Sequence, residues 1–144
     1  MSGVSAIKVH YIALFMGVFF SVCVLWSEGS AGNDAFMDAW NCIAASQNQA
    51  QCDQFNDCVS LIPVEYMTHH DQCVEKLLPD GIGNCNETHQ FYGSEDIRKE
   101  FNVCYGDLFN QAYGTDWTTV DNYQDFLSCI KDVADCSSED SSSR

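Results

Sequence analysis

"SEDIRKEFNVCYGDLFNQAYG", residues 94–114, carries its apolar residues at a period that only a helix satisfies. Ile97, Phe101, Cys104, Tyr105, Leu108, Phe109, Ala112 and Tyr113 recur at steps of three and four. Ser94 is placed to cap the start, Glu95 and Asp96 suit the positive end of the helix dipole, and Gly114 suits a left-handed exit. The apolar set spans about half the circumference, wider than the stripe of a one-sided surface helix. This segment is therefore expected to touch two neighbours or to line a cavity.

Working outward, four further segments keep the same period. In "NDAFMDAWNCIAAS", residues 33–46, Phe36, Trp40, Ile43 and Ala44 share a face, with Asn33 or Asp34 as the expected cap. In "QCDQFNDCVSLIP", residues 51–63, Cys52, Phe55, Val59 and Ile62 repeat, and Pro63 is expected to close the helix. Tyr66, His70, Cys73, Val74 and Leu77 align in "VEYMTHHDQCVEKLL", residues 64–78. Tyr123, Phe126, Leu127, Ile130 and Val133 do so nearer the C-terminus, with Cys129 at the edge of their face. No convincing period-two strand appears. The fold class expected is all-α, a small disulfide-rich bundle of about five helices with four disulfides.

The ends of the chain bound where it works. Lys8 and His10 precede the apolar run "YIALFMGVFFSVCVLW", residues 11–26, and the small residues "SEGSAG" follow at 27–32. That order is the order of a secretory signal peptide, expected over residues 1–31 with cleavage between 29 and 32. A spanning helix usually needs about 20 apolar residues, so stable membrane insertion is not expected. The folded domain is expected over 32–136. The last stretch, "SSEDSSSR" at 137–144, holds no apolar residue and reads as a disordered tail.

Of nine cysteines, Cys23 falls inside the leader. Cys42, Cys52, Cys58, Cys73, Cys85, Cys104, Cys129 and Cys136 remain, an even set that suits an oxidising compartment. Zinc sites favour short Cys-x-x-Cys pairs, and none occurs, so no metal is expected. The connectivity stays open, because eight cysteines allow on the order of a hundred pairings.

The formal charge is −15. Removing the leader takes away Lys8 and Glu28, one charge of each sign, and leaves the balance unchanged. Arg98-Lys99 is the longest basic run, so nucleic acid is excluded as a partner. Asn86-Glu87-Thr88, inside the irregular stretch 79–93, is an N-glycosylation acceptor in an exported chain.

One short motif points toward catalysis. His70-Asp71-x-Cys73 resembles the catalytic-helix stretch of secreted phospholipases A2, which would imply a water-activating histidine and a bound calcium ion. In that family two adjacent cysteines precede the histidine and a glycine-rich loop holds the calcium. Here Tyr66 and Met67 occupy the cysteine positions, and no glycine-rich loop lies between Asn33 and His70. Without the metal the oxyanion loses several kcal/mol of stabilisation. His70 reads instead as a hydrogen-bonded core histidine, and His69, about 100° away, as exposed.

The aromatic-rich second half supports a cavity between helices, with Tyr66, His70, Phe101, Tyr105, Phe109 and Tyr113 as candidate lining. The plan is similar to that of insect odorant carriers, although their Cys-x-x-x-Cys spacing is missing. The leading expectation is a secreted, monomeric, non-catalytic acidic protein that binds an apolar small molecule and needs no cofactor. The alternative is a factor that binds an extracellular protein, such as a venom component, an inhibitor or a secreted-matrix constituent. A phospholipase-like hydrolase is a distant third. Trp117 and the 79–93 stretch are the expected exposed interaction surface.

Overall fold

The computed structural model describes residues 30–134. Cys136, the tail and the expected leader up to residue 29 lie outside the described residues. Five α-helices and no strand occur among the described residues: α1 (Ser30–Ala45), α2 (Gln49–Val59), α3 (Val64–Leu77), α4 (Glu95–Tyr113) and α5 (Asp121–Val133). A 3-10 turn, Trp117–Thr119, precedes α5.

Local signals set most of the boundaries. Ser94 Oγ accepts from the Ile97 amide, and Gly114 leaves α4 at φ 68°, a conformation that costs glycine nothing. Asn48 caps α2 by accepting from the Ala50 amide. Two boundaries differ from the sequence reading. α1 begins at Ser30, upstream of the expected Asn33 or Asp34 cap. Pro63 does not end α2, which stops at Val59, but stands at the head of α3, where proline's missing N–H has no intrahelical partner to lose.

The core is aromatic. Trp40 on α1, only 2% exposed, packs its ring at 4.9–5.9 Å from Phe36, Phe55, Tyr92 and Phe101, which come from α1, α2, the α3–α4 connection and α4. α4 packs chiefly on α3 and also touches α1 and the 3-10 turn, as its broad apolar face requires. α5 lies against α1 and α2. Three disulfides cross the bundle: Cys52–Cys85 ties α2 to the connection, Cys58–Cys129 ties α2 to α5, and Cys73–Cys104 ties α3 to α4. Cys42 is disulfide-bonded as well. The Cα atoms of the three bridged pairs stand 5.7–6.0 Å apart, the usual span of a native bridge.

Residues 78–94 form no regular element, yet they are tightly held. Phe91 and Tyr92 are 1% and 2% exposed, and Cys85 is buried beside them. Tyr92 adopts φ 55°, a left-handed conformation that costs a non-glycine residue about 1–2 kcal/mol. Burial of its ring among Trp40, Phe91 and Phe101 offsets that strain. Arg98, in the first turn of α4, completes the clamp. Its Nε donates to Asn41 Oδ1 at 2.7 Å, and its Nη1 donates to the carbonyls of Phe91 and Gly93. Only 4% of Arg98 is exposed; burial pulls its pKa below the usual value, and Glu95 opposes that shift.

Candidate functional site

The space between the helices is small. A space of about 50 Å³ opens between Trp40, Phe55, His70, Tyr92, Phe101 and Tyr105. A second void of about 20 Å³ lies beside it, against Tyr66, Tyr105 and Phe109. The six candidate residues therefore divide: His70 and Phe101 border the first space, Tyr66 and Phe109 the second, and Tyr105 both. Tyr113 borders neither and is 43% exposed. A single water needs about 10–15 Å³, whereas pockets for drug-sized ligands run to roughly 300–1,000 Å³. Aromatic packing fills the volume that a cargo would occupy.

His70 is held from both sides. Tyr92 Oη lies 2.7 Å from its Nε2 and Asp71 Oδ1 lies 3.1 Å from its Nδ1. In the neutral imidazole Nδ1–H donates to the carboxylate and the Tyr92 hydroxyl donates to Nε2. Burial, aided by the charge of Asp71, pushes the Tyr92 phenol well above its ordinary value, so it stays a donor at neutral pH. Nε2 thus ties α3 to the 78–94 connection through Tyr92, while the Nδ1–Asp71 bond stays within α3. Among the described residues no group of three His, Cys, Asp or Glu side chains is placed to hold a metal ion.

Two expectations about exposure are corrected. The Trp117 ring is buried, not exposed: the Asp116 carboxylate caps the 3-10 turn by accepting from the Thr118 amide, and the indole tucks between Phe36, Tyr105 and Tyr123. His69 does not point into solvent either. Both its nitrogens are covered without a hydrogen-bond partner, and its ring lies 5.6 Å from Tyr113.

The exposed apolar surface lies elsewhere, at the end of the bundle where α2 gives way to α3. Val64 is 81% exposed, Leu61 42%, and Tyr113 joins them from the last turn of α4. Tyr113 Oη donates to the Glu65 carbonyl at 3.4 Å, and its ring lies 5.0 Å from that of Tyr66. Sequence periodicity passed over Leu61 and Val64, because Leu61 lies in the turn after α2 and Val64 opens α3 off its apolar stripe. That same fact was the available signal: an apolar residue off its stripe has no core to enter. Surface troughs of about 370–420 Å³ beside α1 and α4 are lined by Asn33, Asp34, Asn102 and other polar side chains, with Val103 exposed among them.

No helix among the described residues is long and apolar enough to cross a membrane. Comparisons with curated proteins and with solved structures find no match. The model of one protein family, Hi1a-like, described as U10-hexatoxin-Hi1a, matches residues 30–139 and so takes in every helix of the bundle. The chain belongs to the Hi1a-like family.

Proposed function

We propose that this protein is a secreted, non-catalytic, toxin-like factor that acts by binding an extracellular protein through the Leu61–Val64–Tyr113 end of the bundle. The observation that carries the reading is the pairing of a filled core with an apolar surface cluster, 81% exposed at Val64, in a member of a family described by a hexatoxin. A cavity of about 50 Å³ argues against cargo carriage, the leading expectation from the sequence. Export is supported by the leader pattern and by the bridges. Among the described residues three bridges join α2, α3, α4, α5 and the 78–94 connection, and Cys42 is disulfide-bonded as well.

The partner surface is expected to be cationic. At −15 the body attracts positive surfaces from a distance, which raises the rate of encounter, while apolar anchors decide how long the complex lasts. Val64, at the head of α3 beside Glu65, sits within that field and needs no rearrangement to enter a pocket.

The test uses oxidised, fluorophore-labelled protein on intact animal cells. Binding should be saturable and lost when the cells are first treated with protease. Val64→Glu and Leu61→Asp should each weaken it about tenfold, the cost of losing one buried anchor. Binding that neither change alters would overturn the assigned surface.

A further inference from the structure

We infer that Asn86 carries an N-linked glycan, at the end of the bundle away from the proposed docking surface; the inference rests on the export part of that reading. Asn86-Glu87-Thr88 has the acceptor spacing, but spacing alone is a weak signal. The geometry adds three observations. Residues 86–90 are exposed without a break, although Cys85, immediately before them, is buried and bridged to Cys52. The acceptor therefore sits on a short arch anchored at its base and raised from the surface.

Second, the carboxamide is already oriented. Asn86 Oδ1 accepts from the Thr88 amide at 3.0 Å, from Thr88 Oγ1 at 2.9 Å and from the His89 amide at 2.9 Å. All three donors approach the oxygen, and no bond to Nδ2 appears among the described residues, so the nitrogen is the atom left to react. Thr88, which the acceptor motif requires, is also the residue that supplies two of those donors.

Third, the arch is remote from Leu61 and Val64. It is tied to the first turn of α2 through Cys52 and through the Cys85 amide, which donates to Gln49 Oε1. The docking cluster begins past the other end of that helix, about 16 Å along its axis for 11 residues. A glycan on the arch leaves the apolar cluster uncovered.

The chemistry is that of a lumenal oligosaccharyltransferase. Asn86 Nδ2 attacks C1 of an oligosaccharide carried on a polyprenyl diphosphate, the N–C1 bond forms, and the C1–O bond to diphosphate breaks. The lipid diphosphate leaves with that electron pair, and one Nδ2 proton passes to the enzyme's base.

The full chain expressed in a secreting eukaryotic cell tests this by peptide mapping before and after treatment with peptide N-glycosidase. The expected result is a heterogeneous glycopeptide containing Asn86, converted by the enzyme to one peptide bearing aspartate there. Thr88→Ala and Glu87→Pro should each be secreted without the added mass, a loss that does not depend on Asn86 itself being changed. Wild-type protein secreted with all thiols oxidised but unmodified at Asn86 would overturn the glycan and leave the export reading standing. Protein retained in the cytosol with free thiols would overturn both.

Discussion

The two ends of this bundle are built to opposite rules. At one end the 78–94 connection lacks regular structure, yet it is clamped by the Cys52–Cys85 bridge, the Arg98 guanidinium and the Tyr92–His70 bond. At the other, Leu61 in the short turn after α2 and Val64 at the head of α3 are exposed. Irregular backbone is thus firmly anchored here. Buried irregular backbone needs partners for its polar groups, and the clamped end supplies them one by one. The apolar cluster needs no support of its own because two regular helix ends present it. On the proposed reading, recognition falls at the end of the helices opposite the clamp.

That contrast can be broken from the clamped side. Replacing Cys52 and Cys85 together by alanine reopens a loop closed over a separation of 33 residues and should cost about 4 kcal/mol, read from urea unfolding. Arg98→Ala should cost about 3 kcal/mol, because it strands Asn41 Oδ1 and two carbonyls in a site with little access to water. Arg98→Met should recover part of that loss through packing while leaving the carbonyls unpaired. If either Arg98 variant unfolds at the wild-type urea midpoint, the clamp is not what holds the connection.

A smaller effect should come from alkali. Burial raises the phenols of Tyr92 and Tyr105 and, with the charge of Asp116, pushes Tyr123 up to about 12. A free phenol ionises near about pH 10, so the unfolded chain loses these protons first. A raised folded pKa means that stability is intact below about pH 10 and declines as pH climbs toward 12. Melting temperature should therefore be flat from neutrality to about pH 9 and then fall. Tyr123→Phe should flatten the fall while lowering the plateau by about 1 kcal/mol, since the hydroxyl donates to the Gly32 carbonyl at 2.6 Å. An equal slope in the variant would remove Tyr123 as a contributor.

The smallest effect is expected at the exposed end. Val64→Glu should change stability by less than about 0.5 kcal/mol, because an 81% exposed side chain loses almost no buried contact. The same substitution should nevertheless weaken binding. A large stability loss would mean that Val64 belongs to the core, and the contrast between the ends would vanish.

How far the sequence reached follows from how local each signal was. The limits of α4 were legible because Ser94 and Gly114 act within one turn of the residues they cap. The five helices were legible for the same reason, through their 3.6-residue period. Arg98 was not, because beside Lys99 it reads as one more solvated base; only the three-dimensional path of Phe91 and Gly93 buries it. Phe91 and Tyr92 had no period to betray their burial, and Trp117 is hidden by a 3-10 turn too short to carry one. Of the six candidate cavity residues five do border internal space, but periodicity shows which residues face inward, not whether a gap remains between them.

The central claim is that the interior is filled and that recognition belongs to the surface. Titration of the folded, oxidised protein with an apolar fluorescent probe, N-phenyl-1-naphthylamine, tests it most directly. The account predicts no saturable enhancement, because a space of about 50 Å³ cannot admit the probe. Stoichiometric micromolar binding, displaced by a fatty acid and lost on replacing Phe101 with tryptophan, would contradict it.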